Sequence, residues 1–213
     1  MNLPNIISTA RIALAVLVVP LLMPDHFALR ILAFAVFIIA AVSDLWDGYL
    51  ARSRGLITNL GKLLDPLADK LLLVCTFVPF YLLAHRPEPR PPFPWIRDTF
   101  PLWIVVVIFG RELFITLFRS YAARRGVVIA AGPAGKYKAF SQNLFIGSVI
   151  LWYALHSAAA EHGWSGALWR GWLVFHRGFA IVMLSVAVVL TVYSLAVYLR
   201  NYRSLSGTGE AVH

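Results

Sequence analysis

Asp44, Asp47, Asp65 and Asp69 fall within 26 residues and are four of the ten acidic residues of the chain. They lie at the ends of two hydrophobic runs, in the stretch SDLWDGYLARSRGLITNLGKLLDPLADK from Ser43 to Lys70. If the flanks are helical, Asp44, Asp47 and Ala51 stand at i, i+3 and i+7 and share one face. Gly61, Asp65 and Asp69 stand at i, i+4 and i+8 and share another. The loop between them is short, so the two helices are expected to be antiparallel neighbours whose polar faces meet. A carboxylate at membrane depth costs about 2.5–3.5 kcal/mol, and four together repel one another, so the cluster demands a cation.

Oxygen ligands without Cys or His select hard cations: Mg²⁺, Mn²⁺ or Ca²⁺. Four negative charges balance two divalent ions. Two such ions about 3.5–4 Å apart form the clamp that phosphoryl transfer places on attacking and leaving oxygens. Gly48 leaves room for a ligand to approach the backbone, Gly61 clears space on the facing helix, and Arg52 is placed to pair with a phosphate. Carboxylates in a membrane also serve as proton relays, as ion paths in a cation or proton transporter, or as paired structural networks. An arginine beside the acids has no use in a cation path.

The elements that must position these residues are membrane helices. The chain of 213 residues is 60% hydrophobic and only 14% charged, with a mean hydropathy of +0.74; a soluble domain carries about 25% charged residues. Six apolar runs stand at about 5–23, 29–49, 63–84, 100–118, 140–157 and 178–199. They are continuous rather than alternating, which excludes a β-barrel and predicts an all-α integral membrane protein of six transmembrane helices. The linkers are too short for a second domain, so residues 1–203 are expected to form one transmembrane catalytic domain. The tail 204–213 is expected to be disordered.

Six spans place both termini on one side. Arg52, Arg54, Lys62, Arg119, Arg124, Arg125, Lys136, Lys138, Arg200 and Arg203 fall on that side. Arg30, Arg86, Arg90, Arg97, Arg170 and Arg177 fall on the other. The positive-inside rule then faces the termini and the aspartates toward the cytoplasm. A net charge of +9 in so apolar a chain is read as contact with anionic lipid heads or phosphorylated ligands, not nucleic acid. Cys75 is alone, so it forms no disulfide within the chain. Trp95, Trp103, Trp152, Trp164, Trp169 and Trp172 read as an interfacial belt. His26, His85, His156, His162 and His176 lack metal-ligand spacing and read as surface residues.

The fixed positions Asp44, Asp47, Gly48, Ala51, Arg52, Gly61, Asp65 and Asp69 match the motif of the CDP-alcohol phosphotransferases, and the chain resembles that family. The resemblance implies a six-helix membrane enzyme, usually a homodimer, that transfers a phosphatidyl or similar group from a CDP-linked donor to an alcohol. It implies that Asp44, Asp47, Asp65 and Asp69 bind Mg²⁺ or Mn²⁺, as two ions. It also makes Asp69 the candidate general base and gives the cytidine diphosphate site to Gly48, Ala51, Arg52 and Gly61.

The segment Asn2-Leu3-Pro4-Asn5-Ile6 with Thr9 and Arg11 resembles the opening of the bacterial phosphatidylglycerophosphate synthases. Arg11, inside an apolar run, needs a phosphate or an acid as partner. Gly110-Arg111-Glu112-Leu113, Leu117-Phe118-Arg119 and Gly135-Lys136-Tyr137-Lys138 with Gln142 resemble further elements of those synthases, with departures at Thr116 and Ala139. Arg111, Arg119, Lys136 and Lys138 are therefore expected to form a basic pocket for a phosphorylated acceptor. The expected reaction transfers the phosphatidyl group of CDP-diacylglycerol to sn-glycerol 3-phosphate in the cell membrane, giving phosphatidylglycerophosphate and CMP. Phosphatidylglycerol, inositol phosphate or serine are the alternative acceptors. The basic residues are otherwise explained as a loop that binds lipid heads.

Overall fold

The computed structural model describes residues 3–53, 59–87, 89–124 and 133–209. Side chains at 3–4, 44–53, 59–63, 123, 133–134, 136 and 203–209 lie outside that description. Six long helices follow in order: α1 (Leu3–Leu22), α2 (Phe27–Ser53), α3 (Asn59–Ala84), α4 (Leu102–Arg124), α5 (Pro133–His162) and α6 (Ala167–Gly209). A single 3₁₀ turn, Ile96–Asp98, precedes α4. Among the described residues there is no strand.

Four of these helices carry apolar stretches long enough to cross a bilayer: Asn5–Leu22, Leu64–Ala84, Tyr137–His162 and Ala167–Tyr202. In α2 the apolar part is shorter, Phe27–Ser43. In α4, exposed Val106, Leu113 and Leu117 recur at spacings of seven and four, the pattern of one apolar helix face. The protein is multi-pass and all-helical, as the continuous runs predict. The helices outlast the apolar runs because backbone hydrogen bonding within a helix does not need apolar side chains to continue it. At the C-terminal end α6 runs on to Gly209, beyond the last apolar run.

By their internal contacts the residues fall into two compact units. One holds residues 1–100 and 145–180; the other holds 101–144 and 181–213.

In the first unit α1 packs against both α2 and α3. Its core is a cluster of rings: Phe77, Phe80, Phe93, Phe100 and Phe145 are all fully buried, with Phe93 stacked on Phe100 at 4.8 Å. The segment before α4 folds back to deliver Phe93. The Phe93 N–H donates to the Asp98 carbonyl at 3.0 Å, and Arg97 and Asp98 adopt left-handed φ values of 64° and 58°, which close the turn. Arg177 on α6 pairs with the Asp98 carboxylate and donates to the Trp95 carbonyl at 3.3 Å.

Two expectations about this unit need correction. Trp152 is buried, and its indole N–H donates to the Pro92 carbonyl at 2.7 Å, so it is a core residue and not part of an interfacial belt. His176 is also buried, with Nε2 2.8 Å from the Ser148 carbonyl. A carbonyl only accepts, so Nε2 carries the proton. In each the ring N–H is satisfied by a backbone carbonyl, which makes its burial tolerable.

The second unit is built from α4, the first two fifths of α5 (to Leu144) and the part of α6 from Ile181 onward. Ile115, Ala122 and Tyr198 form its buried centre, with Phe118, Leu195 and Tyr202 packed on it.

Candidate active site

The aspartate motif lies in the first unit, where α2 carries Asp44, Asp47, Gly48, Ala51 and Arg52 and α3 carries Gly61, Asp65 and Asp69. All eight positions are helical, as their spacing requires. The side chains at 44–52 and at 61 lie outside the described residues, so the geometry is told by Asp65 and Asp69. One turn apart, they are separated by about 6 Å along the axis. Pro66 stands between them; with no N–H of its own, it deletes one rung of the helix's hydrogen-bond ladder at this turn.

Both carboxylates are held from α1. Ser8 Oγ donates to Asp65 Oδ1 at 2.6 Å. Arg11 Nη1 donates to Asp69 Oδ1 at 3.0 Å. Ser8 and Arg11 are themselves buried, at 0% and 1% exposure, whereas the Asp69 side chain is 57% exposed. The acid partner that Arg11 requires is therefore Asp69. Thr9, named with Arg11 in the N-terminal segment, instead turns onto its own helix and donates to the Asn5 carbonyl at 2.8 Å. Ser8 is the residue that sequence reasoning passed over. Its one signal is its position three before Arg11, on the same helix face.

The donor set suits a hard divalent cation. Asp65 and Asp69 offer carboxylate oxygens only, and an ionised carboxylate has about four lone-pair sites, so one that accepts a hydrogen bond can still bind a metal. Among the described residues no three His, Cys, Asp or Glu side chains converge; Asp44 and Asp47 lie outside that set.

The second unit holds the basic residues of α4 and α5. Arg111 donates to Glu112 at 3.0 Å and to Ser194 Oγ on α6 at 3.0 Å, and Lys138 on α5 pairs with the same Glu112 oxygen. Arg111 and Lys138, 27 positions apart in the chain, are thus brought together around one carboxylate. Glu112 is the residue missing from the expected set, and it neutralises part of the cluster. Arg119 is exposed on α4, two turns beyond Arg111. The side chain of Lys136 lies outside the described residues. Lys138 is buried, with its side chain 7% exposed, unlike a loop lysine that meets lipid heads.

Residues 1–193 match the family model for CDP-alcohol phosphatidyltransferase. A CDP-diacylglycerol–glycerol-3-phosphate 3-phosphatidyltransferase of Bacillus subtilis is 37% identical over 162 residues, 70% of this chain and 77% of the relative. A protein of Mycobacterium tuberculosis named "Probable phosphatidylglycerophosphate synthase" is 31% identical over 212 residues, 97% of this chain and 84% of the relative. The chloroplastic/mitochondrial CDP-diacylglycerol–glycerol-3-phosphate 3-phosphatidyltransferase 1 of Arabidopsis thaliana is 31% identical over 208 residues, 94% of this chain and 62% of the relative. With its motif intact on two helices of a multi-pass protein and its sequence matched almost from end to end, the chain belongs to the CDP-alcohol phosphatidyltransferase family.

Proposed function

We propose that this protein transfers the phosphatidyl group of CDP-diacylglycerol to sn-glycerol 3-phosphate, giving phosphatidylglycerophosphate and CMP. The reading is supported by the names of the relatives and by the pairing of Asp65 and Asp69 on one face of α3, held in place from α1. In it, residues 1–203 act as one catalytic domain of a homodimer. The aspartates face the cytoplasm from a cell membrane, as the excess of basic residues on that side argues.

In this mechanism Asp44, Asp47, Asp65 and Asp69 hold Mg²⁺ or Mn²⁺ ions, two in number. When bound, such ions neutralise charge on the diphosphate and on the departing phosphate. Gly48, Ala51, Arg52 and Gly61 shape the cytidine diphosphate site, while the donor's acyl chains stay in the bilayer. Asp69 accepts the proton of the primary hydroxyl of the acceptor as its oxygen attacks the β-phosphorus in line. The new bond joins that oxygen to phosphorus, the bond from phosphorus to the bridging oxygen breaks, and CMP departs with its electron pair. Arg111, Arg119, Lys136 and Lys138 supply the charge that recognises the acceptor's own phosphate. Positioning and electrostatics carry the rate, and no covalent intermediate is needed.

The test is release of CMP from CDP-diacylglycerol, Mg²⁺ and labelled glycerol 3-phosphate by purified protein. Phosphatidylglycerol, inositol phosphate and serine serve as competing acceptors. Turnover with one of these in place of glycerol 3-phosphate would reassign the acceptor and keep the chemistry. Absence of CMP with every acceptor would overturn the reading.

A further inference from the structure

We infer that α1 is part of the catalytic apparatus, with Ser8 and Arg11 acting as positioning residues for the two carboxylates of α3. The geometry is a pair of rungs. Ser8 meets Asp65 at 2.6 Å, and Arg11 meets Asp69 at 3.0 Å. Three residues further along α1 corresponds to four further along α3, so the helices run parallel here and their registers match over one turn.

The burial of the donors argues for more than a chance contact. Ser8 is wholly buried and Arg11 is 1% exposed. Removing an arginine from water is costly and is compensated only by a well-placed acid. Asp69 itself stays 57% exposed, so the buried arginine holds a carboxylate whose side chain still reaches the surface. Residues that bond a metal-binding carboxylate from behind orient it, and their loss typically costs 10–100-fold in metal affinity. The N-terminal segment around Asn5 and Arg11 thereby gains a role that its own sequence does not state.

This inference rests on the reading of Asp65 and Asp69 as metal ligands, and the experiment separates the two. Mn²⁺ binding to the full-length protein in nanodiscs is measured by calorimetry, alongside the Mn²⁺ concentration that half-saturates CMP release. Ser8→Ala is expected to raise the Mn²⁺ dissociation constant about tenfold, and Ser8→Thr, which keeps the hydroxyl, to return it to within about twofold of the parent. If Ser8→Ala fails to fold, the isosteric Ser8→Cys with its weak donor takes its place. Arg11→Lys keeps the charge but loses the planar fork, so the several-fold weakening expected for it reports orientation and not charge. An unchanged dissociation constant in Ser8→Ala or its replacement and in Arg11→Lys overturns the inference, provided Asp65→Asn and Asp69→Asn abolish Mn²⁺ binding. Parent-like binding in those two aspartate variants overturns the metal reading itself, and the inference with it.

Discussion

Arg11 Nη1 lies 3.0 Å from Asp69 Oδ1, joining a fully buried cation on α1 to a half-exposed carboxylate on α3. An arginine in the middle of an apolar run is tolerated because this acid stands at its height in the bundle. The same carboxylate is the proposed proton acceptor, so the pair links the folding of the N-terminal helix to the chemistry of the third.

Asp69→Asn keeps the shape and an acceptor oxygen for Arg11 but removes the carboxylate's charge. CMP release should fall by at least about a thousandfold, within the range seen when a positioned general base is lost. Far-ultraviolet circular dichroism should be unchanged. Undiminished turnover would remove Asp69 from the mechanism.

Chelation should have the same end point by another route. EDTA is expected to abolish CMP release, and Mg²⁺ or Mn²⁺ to restore it, while Zn²⁺ restores it poorly because the ligands are hard oxygens. Full activity after exhaustive chelation would contradict the assignment of the aspartates.

Arg119 is exposed on α4, so its removal has little packing to disturb. Arg119→Ala should raise the KM for glycerol 3-phosphate about tenfold, the order expected for one charge-assisted contact of about 1.5 kcal/mol, with kcat nearly unchanged. An equal effect on an unphosphorylated acceptor would show that Arg119 does not read the phosphate.

Glu112 holds two cations whose side chains are only 13% and 7% exposed, Arg111 and Lys138. Glu112→Ala removes the carboxylate that both cations share and should destabilise the protein by about 3 kcal/mol. Glu112→Gln, which retains an acceptor oxygen, should cost less. The order of thermal unfolding midpoints, parent above Gln above Ala, is the check.

Arg30 works as a clamp at the other end of α2. It donates to the Leu22 carbonyl at the end of α1, to Asp25 at 2.6 Å, to the Tyr153 carbonyl and to Ser157 Oγ. Arg30→Ala strands the buried acceptors and should cost on the order of 3 kcal/mol of stability. Arg30 lies fourteen residues before Asp44 on α2, about 21 Å along a straight helix, so the KM of either substrate should not change. A KM effect without a stability effect would show that this end of the helix reaches the chemistry.

Much of the architecture is legible in the sequence itself. Continuous apolar runs separated by Pro, Gly and charge can form only helices in a membrane, and all six helices appear. The helical spacing of the aspartate motif was legible for the same reason, because periodicity is local. Where the chain surprised, the cause was non-local. Trp152 has the composition of an interfacial residue, and its burial depends on Pro92, sixty residues earlier, offering it a carbonyl. His176 reads as a surface histidine until the Ser148 carbonyl is seen to receive it. The basic residues of α4 and α5 read as one positive cluster, but Glu112, in plain view beside Arg111, ties Arg111 and Lys138 together. Nothing in the spacing says which cation a carboxylate will choose.

Composition and spacing alone determined that this chain crosses a bilayer as helices and carries four carboxylates on two helical faces, because hydrophobicity and the 3.6-residue turn act on near neighbours in the chain. Only the tertiary structure decided that Ser8 meets Asp65 and Arg11 meets Asp69. Those pairings depend on the register between α1 and α3, and register is set by how whole helices pack, which no short stretch of sequence records.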